Sequence, residues 1–299
     1  MNIIEDIKHE YRYGGIAQKL IFWNVGLFVI PLILFSILGL FKIDTTSFWF
    51  YDPRVNDWLS LSSQPADLAW KPWSLVTYAF LHAGFLHLIF NMMVLYFSGR
   101  LFLTFFTGKQ LFGVYALSAI FAALVFILSF NTLPLLSGGG IAKMVGASAS
   151  IMAILIAVAV YAPYYEVRLM LFGTVKLWHI AVVLIVLDLI QVSVENQGGH
   201  LAHLSGALFG FVYVKLLKSG TDLSKAVSAV TGLPGKLFSP KKKTPFKVVH
   251  RNTAPKQRPM GKIKNFEQKQ VDEILDKISK SGYDSLTKEE KEFLMRVGK

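Results

Sequence analysis

Ser148 stands at the head of an apolar stretch running from Ala149 to about Ala162, just after Gly146-Ala147 and behind a glycine-rich loop, Ser137-Gly138-Gly139-Gly140. A helix N-terminus favours negative charge, so charge developing on a carbonyl oxygen beside Ser148 would be stabilised there. A serine hydroxyl is a weak nucleophile unless a base takes its proton. His203, early in another apolar stretch, is a candidate base because imidazole titrates near neutrality. His87 and Asn91 are four apart and so share one helix face. They are candidate donors to an oxyanion, with the Ser148 backbone N–H as a third. The same serine also has a plain structural use, since small residues let membrane helices approach closely.

The elements that must hold these groups are membrane spans. The chain of 299 residues is 53% hydrophobic and only 17% charged, against about 25% charged in soluble domains. Six stretches read as spans, near 20–41, 74–99, 111–130, 146–162, 177–194 and 199–217, where about 20 apolar residues suffice to cross a bilayer. No cleavable signal is expected, because the first apolar run begins only near Leu20 and is long. Residues 42–73 carry Trp49, Trp58, Trp70 and Trp73 among acidic residues, which suits either an element lying along the headgroups or an ordinary aromatic belt. The absence of cysteine excludes disulfides, thiolate metal sites and a cysteine nucleophile.

An even number of spans puts both termini on one side. Lys8, Arg12, Lys19, Arg100, Lys109, Arg168, Lys176, Lys215 and Lys218 all fall on that side, so the positive-inside rule makes it the cytoplasm. Ser148, His203, His82 and His87 then lie in one layer toward the outer face. From Ser219 the chain reads as soluble. Ten Lys or Arg and no acid lie between Lys236 and Phe266, a basic disordered linker drawn to anionic lipid rather than to nucleic acid. The domains expected are thus an N-terminal segment (1–18), a membrane domain (19–218), the linker (219–265) and a small helical hairpin (266–299). In that hairpin Val271, Ile274, Leu275 and Ile278 form one stripe, and Thr287 with Glu290 forms a capping box.

His203, Gly206 and Gly210 lie along one stripe of the last span. Their glycines make a surface on which the small residues Gly146, Ala147, Ala149 and Ser150 can close, bringing Ser148 to His203. For a carboxylate, Glu195 is the only acidic candidate near the outer half of that span, whereas Asp188, inside the fifth span, has no assigned place beyond pairing with a neighbouring helix. A Ser–His pair without a carboxylate is the simplest reading. A metal or haem site on His82, His87, His200 and His203 is a competing one, with no carboxylate evident to complete the set.

Taken together, His82-x4-His87-x3-Asn91, Gly146-Ala147-Ser148 and His203-x2-Gly206-x3-Gly210 resemble the rhomboid family of intramembrane serine proteases over about residues 15–218. The resemblance implies an all-α membrane protein, a six-helix bundle, to which the residues beyond 218 add a soluble C-terminal tail outside the resemblance. It implies hydrolysis of peptide bonds in or beside transmembrane segments of protein substrates, with neither metal nor cofactor. Ser148 would be the nucleophile and His203 the base. His87, Asn91 and Ser148 would form the oxyanion hole, with His82, Gly146, Gly206 and Gly210 in support. The setting implied is a bacterial-type cytoplasmic membrane. Ser74 after Trp73, Ala149 after Ser148, and Met152 depart from the family pattern, as does the stretch Leu101–Thr104, which lacks the acidic residue often found there. The alternative is a rhomboid-like protein that binds membrane helices without cutting them.

Overall fold

A computed structural model describes residues 2–42, 58–169, 173–229 and 262–297. Trp49 and its acidic neighbours, and the basic stretch 230–261, lie outside the described residues. The chain divides into two units, Met1–Phe238 and Ser239–Lys299.

The first unit is a bundle of apolar helices. It comprises α1 (Ile3–Tyr13), α2 (Ile16–Leu40), β1 (Leu61–Ser62), α3 (Asp67–Trp70), α4 (Ser74–Thr77), α5 (Phe85–Phe105), α6 (Gly108–Thr132), α7 (Pro134–Ser137), β2 (Lys143–Met144), α8 (Ser148–Tyr161), β3 (Glu166–Leu169), β4 (Gly173–Lys176), α9 (Leu177–Gln191) and α10 (Gln197–Lys218). Helices α2, α5, α6 and α10 are long and apolar enough to cross a membrane, and the chain is a multi-pass integral membrane protein. Helices α8 and α9 have 14 and 15 residues. At 1.5 Å per residue they reach about 21–23 Å, short of a hydrocarbon core of about 30 Å.

α8 is short because it is the centre of the bundle. Every residue from Ala149 to Ala159 is buried, with α5, α6, α9 and α10 packed around it. A helix apolar on all sides belongs inside, where its length need not match the lipid. Its closest neighbour is α10. A Cβ added at Gly206 would run into the Ala149 carbonyl, and one at Gly210 into the Ala153 carbonyl. Helices in lipid gain little from the hydrophobic effect against each other, so this close backbone packing is what holds the pair.

The expected second span is two structures. Residues 74–80 form α4 and a short 3₁₀ turn, the chain then runs extended through Leu81, and the long helix starts only at Phe85. The earlier part is apolar because it is buried in protein: Tyr78 and Ala79 are fully enclosed. Hydropathy does not distinguish that burial from burial in lipid. Two tyrosines fix the segment to α6, Tyr78 donating to the Ala119 carbonyl (2.9 Å) and Tyr115 to that of Ala79 (2.7 Å). Helix α5 also continues past Gly99 to Phe105. Arg100 is therefore not its end; the guanidinium turns to the Tyr96 hydroxyl at 2.7 Å.

Among the described residues, two small antiparallel sheets complete the unit. β1 pairs with β2, with Leu61 opposite Met144, which ties the loop before Ser148 to the chain after α2. β3 and β4 form a hairpin where only a connection is expected. The linker expected from Ser219 begins as packed structure instead. Ser224 is buried, and a Cβ at Gly113 of α6 would collide with it.

The described residues of the second unit form two helices, α11 (Lys262–Ser281) and α12 (Lys288–Val297). Ile274 is buried whereas Leu275 is half-exposed. The Thr287 N–H donates to Glu290 and the Glu290 N–H to the Thr287 hydroxyl, the reciprocal bonds of a capping box.

Candidate active site

Ser148 is the first residue of α8, so its N–H is among those a helix leaves without an intrahelical partner. Its Oγ lies 2.8 Å from His203 Nε2. The glycine contacts of α10 with α8 bring these two side chains together, since His203 is one turn before Gly206 and Ser148 is next to Ala149.

The other ring nitrogen of His203 has a partner too. His203 Nδ1 is 2.9 Å from Asp188 Oδ1, and His200 Nδ1 is 2.7 Å from the same oxygen. A carboxylate thus lies beside the Ser–His pair, where the sequence offers none with an evident place. The acidic group comes from within α9 rather than from the loop at Glu195. Asp188 lies three residues before the end of α9 at Gln191, and His200 three residues after the start of α10 at Gln197. Antiparallel neighbours joined by a short turn put such positions side by side. Counting outward from the turn would have found this.

His87 is in the first turn of α5, and its Nδ1 accepts the Ala83 N–H at 3.3 Å. That bond leaves the proton on Nε2. The same ring edge crowds Gly146, where a Cβ would stand 3.2 Å from His87 Nε2 and 3.6 Å from Ser148 Oγ. Gly146 has φ +135, which L side chains rarely adopt, and its N–H donates to the Tyr78 carbonyl at 3.0 Å. Asn91, one turn beyond His87, is buried, with no hydrogen-bond partner for its Nδ2 among the described residues. His82 stands edge-on to His87, ring centroids 5.2 Å apart.

These groups face a cavity of about 870 Å³, lined by His87, Asn91, Gly146, Ser148 and His203 together with Tyr78, Phe126 and the loop residues Leu135–Met144 in part. A smaller cavity of about 320 Å³ reaches Ser148 and His203 from between α5, α8 and α9, past Phe90, Met152 and Leu187. One route to the serine is therefore part polar, the other mainly apolar.

Of the histidines weighed for a metal, His82 and His87 stand apart from the other two. His200, His203 and Asp188 do offer three ligand atoms within 4.8 Å of one another, so a carboxylate completes a possible set. Their spacing is that of hydrogen bonds. Ligands held about 2.1 Å from a tetrahedral ion lie about 3.4 Å apart, whereas both histidine nitrogens are within 2.9 Å of the carboxylate oxygen.

A family model for the Rhomboid domain matches residues 69–220, which is 152 of the 299 residues. A model described as a family of unknown function (DUF6576) matches residues 262–299. No curated protein matches the chain.

Proposed function

The chain belongs to the rhomboid family, and on that premise we propose that it is an intramembrane serine endopeptidase with Ser148 as nucleophile and His203 as general base. The observation that carries this reading is the 2.8 Å approach of Ser148 Oγ to His203 Nε2 at the edge of the large cavity. As Oγ bonds to the scissile carbonyl carbon, its proton passes to Nε2. The carbonyl oxygen becomes an oxyanion, for which the Ser148 N–H, His87 Nε2–H and Asn91 Nδ2–H₂ are the available donors. His203 then returns the proton to the leaving amine as the C–N bond breaks. Water, entering through the polar cavity, gives its proton to His203 and attacks the acyl-enzyme, and Ser148 recovers a proton as the acid product leaves.

The substrate would be a membrane protein whose transmembrane segment approaches through the apolar cavity between α5, α8 and α9. The termini would face the cytoplasm, with the basic stretch before the hairpin near anionic lipid. The departures at Ser74, Ala149 and Met152 remove none of the reacting groups, so the geometry favours cleavage over simple helix binding.

The test uses purified protein in detergent and a fluorescent transmembrane substrate with a destabilised helix. Ser148→Ala and His203→Ala should each abolish cleavage without loss of fold, and a chelator should leave wild type unaffected. Cleavage surviving Ser148→Ala would sink the assignment.

A further inference from the structure

We propose that Asp188 is a positioning residue for the reaction, holding His203 in the tautomer whose unprotonated Nε2 faces Ser148, and that His200 holds Asp188 in place. The inference rests on the protease reading above and adds a carboxylate to the Ser–His pair. Its premise is that Asp188 Oδ1 is shared by His200 Nδ1 at 2.7 Å and His203 Nδ1 at 2.9 Å.

An ionised carboxylate can only accept hydrogen bonds. Both rings must therefore carry a proton on Nδ1 when neutral. For His203 this leaves the Nε2 lone pair pointing at Ser148 Oγ, 2.8 Å away. The opposite tautomer would turn an N–H toward Oγ and offer no base. Asp188 selects between the two before any substrate arrives. When Nε2 takes the serine proton, His203 becomes a cation inside an apolar bundle, and the adjacent carboxylate offsets that charge. Asp188 takes no proton at any step: Nδ1–H stays on His203, and the transferred proton shuttles only through Nε2.

His200 explains how a carboxylate keeps its place there. The Asp188 side chain is only 8% exposed, and a buried charge needs several donors to be tolerated. His200 and His203 are three apart on α10, so they hold the same oxygen from consecutive turns of one helix. The arrangement also ties α9 to α10. A purely structural tie would stabilise the bundle without setting the tautomer of the base, and the two roles separate experimentally.

Full-length protein, wild type beside Asp188→Asn, Asp188→Glu and Ser148→Ala, would be assayed with the same transmembrane substrate for kcat and KM. Asp188→Asn should lower kcat by about 10²–10⁴-fold with KM little changed, and Asp188→Glu, which keeps the charge, should recover part of the loss. Asp188→Asn with kcat within about threefold of wild type overturns the proposal, as does an equal loss in the Asn and Glu variants. A second measurement needs neither activity nor a stable Asp188 variant. ¹⁵N-histidine NMR of the wild type in lipid, with His203 assigned through His203→Gln, should show His203 protonated at Nδ1. A neutral His203 protonated at Nε2 overturns the proposal whatever the kinetics. If wild type cleaves nothing, or Ser148→Ala still cleaves, the protease reading fails on its own, and the tautomer still decides the role of Asp188.

Discussion

Gly206 of α10 rests directly against the backbone carbonyl of Ala149, the residue that follows Ser148 in α8. Because the contact is with backbone and not with a flexible side chain, a larger residue there cannot be absorbed by a rotamer change. Gly206→Val should push α10 away from α8 and draw His203 out of reach of Ser148. Overpacking of this kind costs about 1–3 kcal/mol, so protein that still folds should be thermally weakened and should lose most of its cleavage activity. Gly138→Ala, whose Cβ meets nothing within 4 Å, is the matched control and should stay near wild type. Thermal unfolding and cleavage of the same samples check both.

Asn91 and His87 should be separable from the nucleophile by the size of their effects. Removing one oxyanion donor typically costs about 10²–10³ in kcat. Asn91→Ala and His87→Ala should therefore leave measurable turnover where Ser148→Ala leaves none. Gly146→Ala should resemble His87→Ala, because its Cβ would demand an unfavourable φ and press on the His87 ring at 3.1 Å. Steady-state kinetics with KM and kcat resolved decide the point: a loss confined to KM would remove these groups from the oxyanion role.

What was legible in the sequence was whatever lies along one helix or at its end. Ser148 at a helix start, His87 with Asn91 one turn on, and His203 with its glycines are all spacings within a single element, and the structure puts Ser148, His87, Asn91 and His203 around one cavity. Asp188 reads as an intramembrane carboxylate able to pair with a neighbouring helix, but spacing alone names no partner, because its partners belong to the next helix. Relations between helices require the turn to be located first, and the apolar run blurs it: α9 ends at Gln191, three residues before the expected boundary. The segment from Ser74 to Gly84 reads as part of a span for the converse reason. It is as apolar as a span, yet Tyr78 and Ala79 are buried against α6 rather than in lipid. The β3–β4 hairpin lies in a stretch whose charged residues, Glu166 and Arg168, read as a solvent connection, although they alternate with Val167 and Leu169 as strand residues do.

In the C-terminal hairpin, Glu290 joins the two helices. Its carboxylate accepts Lys277 Nζ at 2.9 Å and the Thr287 N–H at 2.8 Å. The Lys277 ammonium, and then the Thr287 N–H, hold its pKa below the ordinary carboxylate value. Glu290→Ala should loosen the start of α12 and speed hydrogen exchange over residues 288–297 of the full chain. Lys277→Met should do so less, since it spares the capping box. Equal exchange in wild type and both variants would remove the bridge from any role in ordering the hairpin.

Within the membrane domain, Asp222 fastens the end of α10 to the start of α6. One carboxylate oxygen accepts the Ser224 hydroxyl (2.6 Å), the Ser224 N–H (2.9 Å) and the Tyr213 hydroxyl (3.2 Å), and the other accepts Gln110 Nε2 (3.3 Å). Burial raises the Asp222 pKa, but these donors, the Ser224 hydroxyl foremost, outweigh it and leave the group below the ordinary carboxylate range. A folded pKa below the unfolded one means that the stabilisation is complete above the ordinary range and is lost as pH falls through the folded value. Asp222→Asn should therefore cost about 1 kcal/mol at neutral pH, after allowance for solvent screening. The difference should shrink as the medium is acidified through and below the ordinary carboxylate range, because wild type loses what the variant never had. Thermal midpoints of both proteins in detergent across that range test this, and a gap that widened on acidification would show that Asp222 is not held as a carboxylate by these donors.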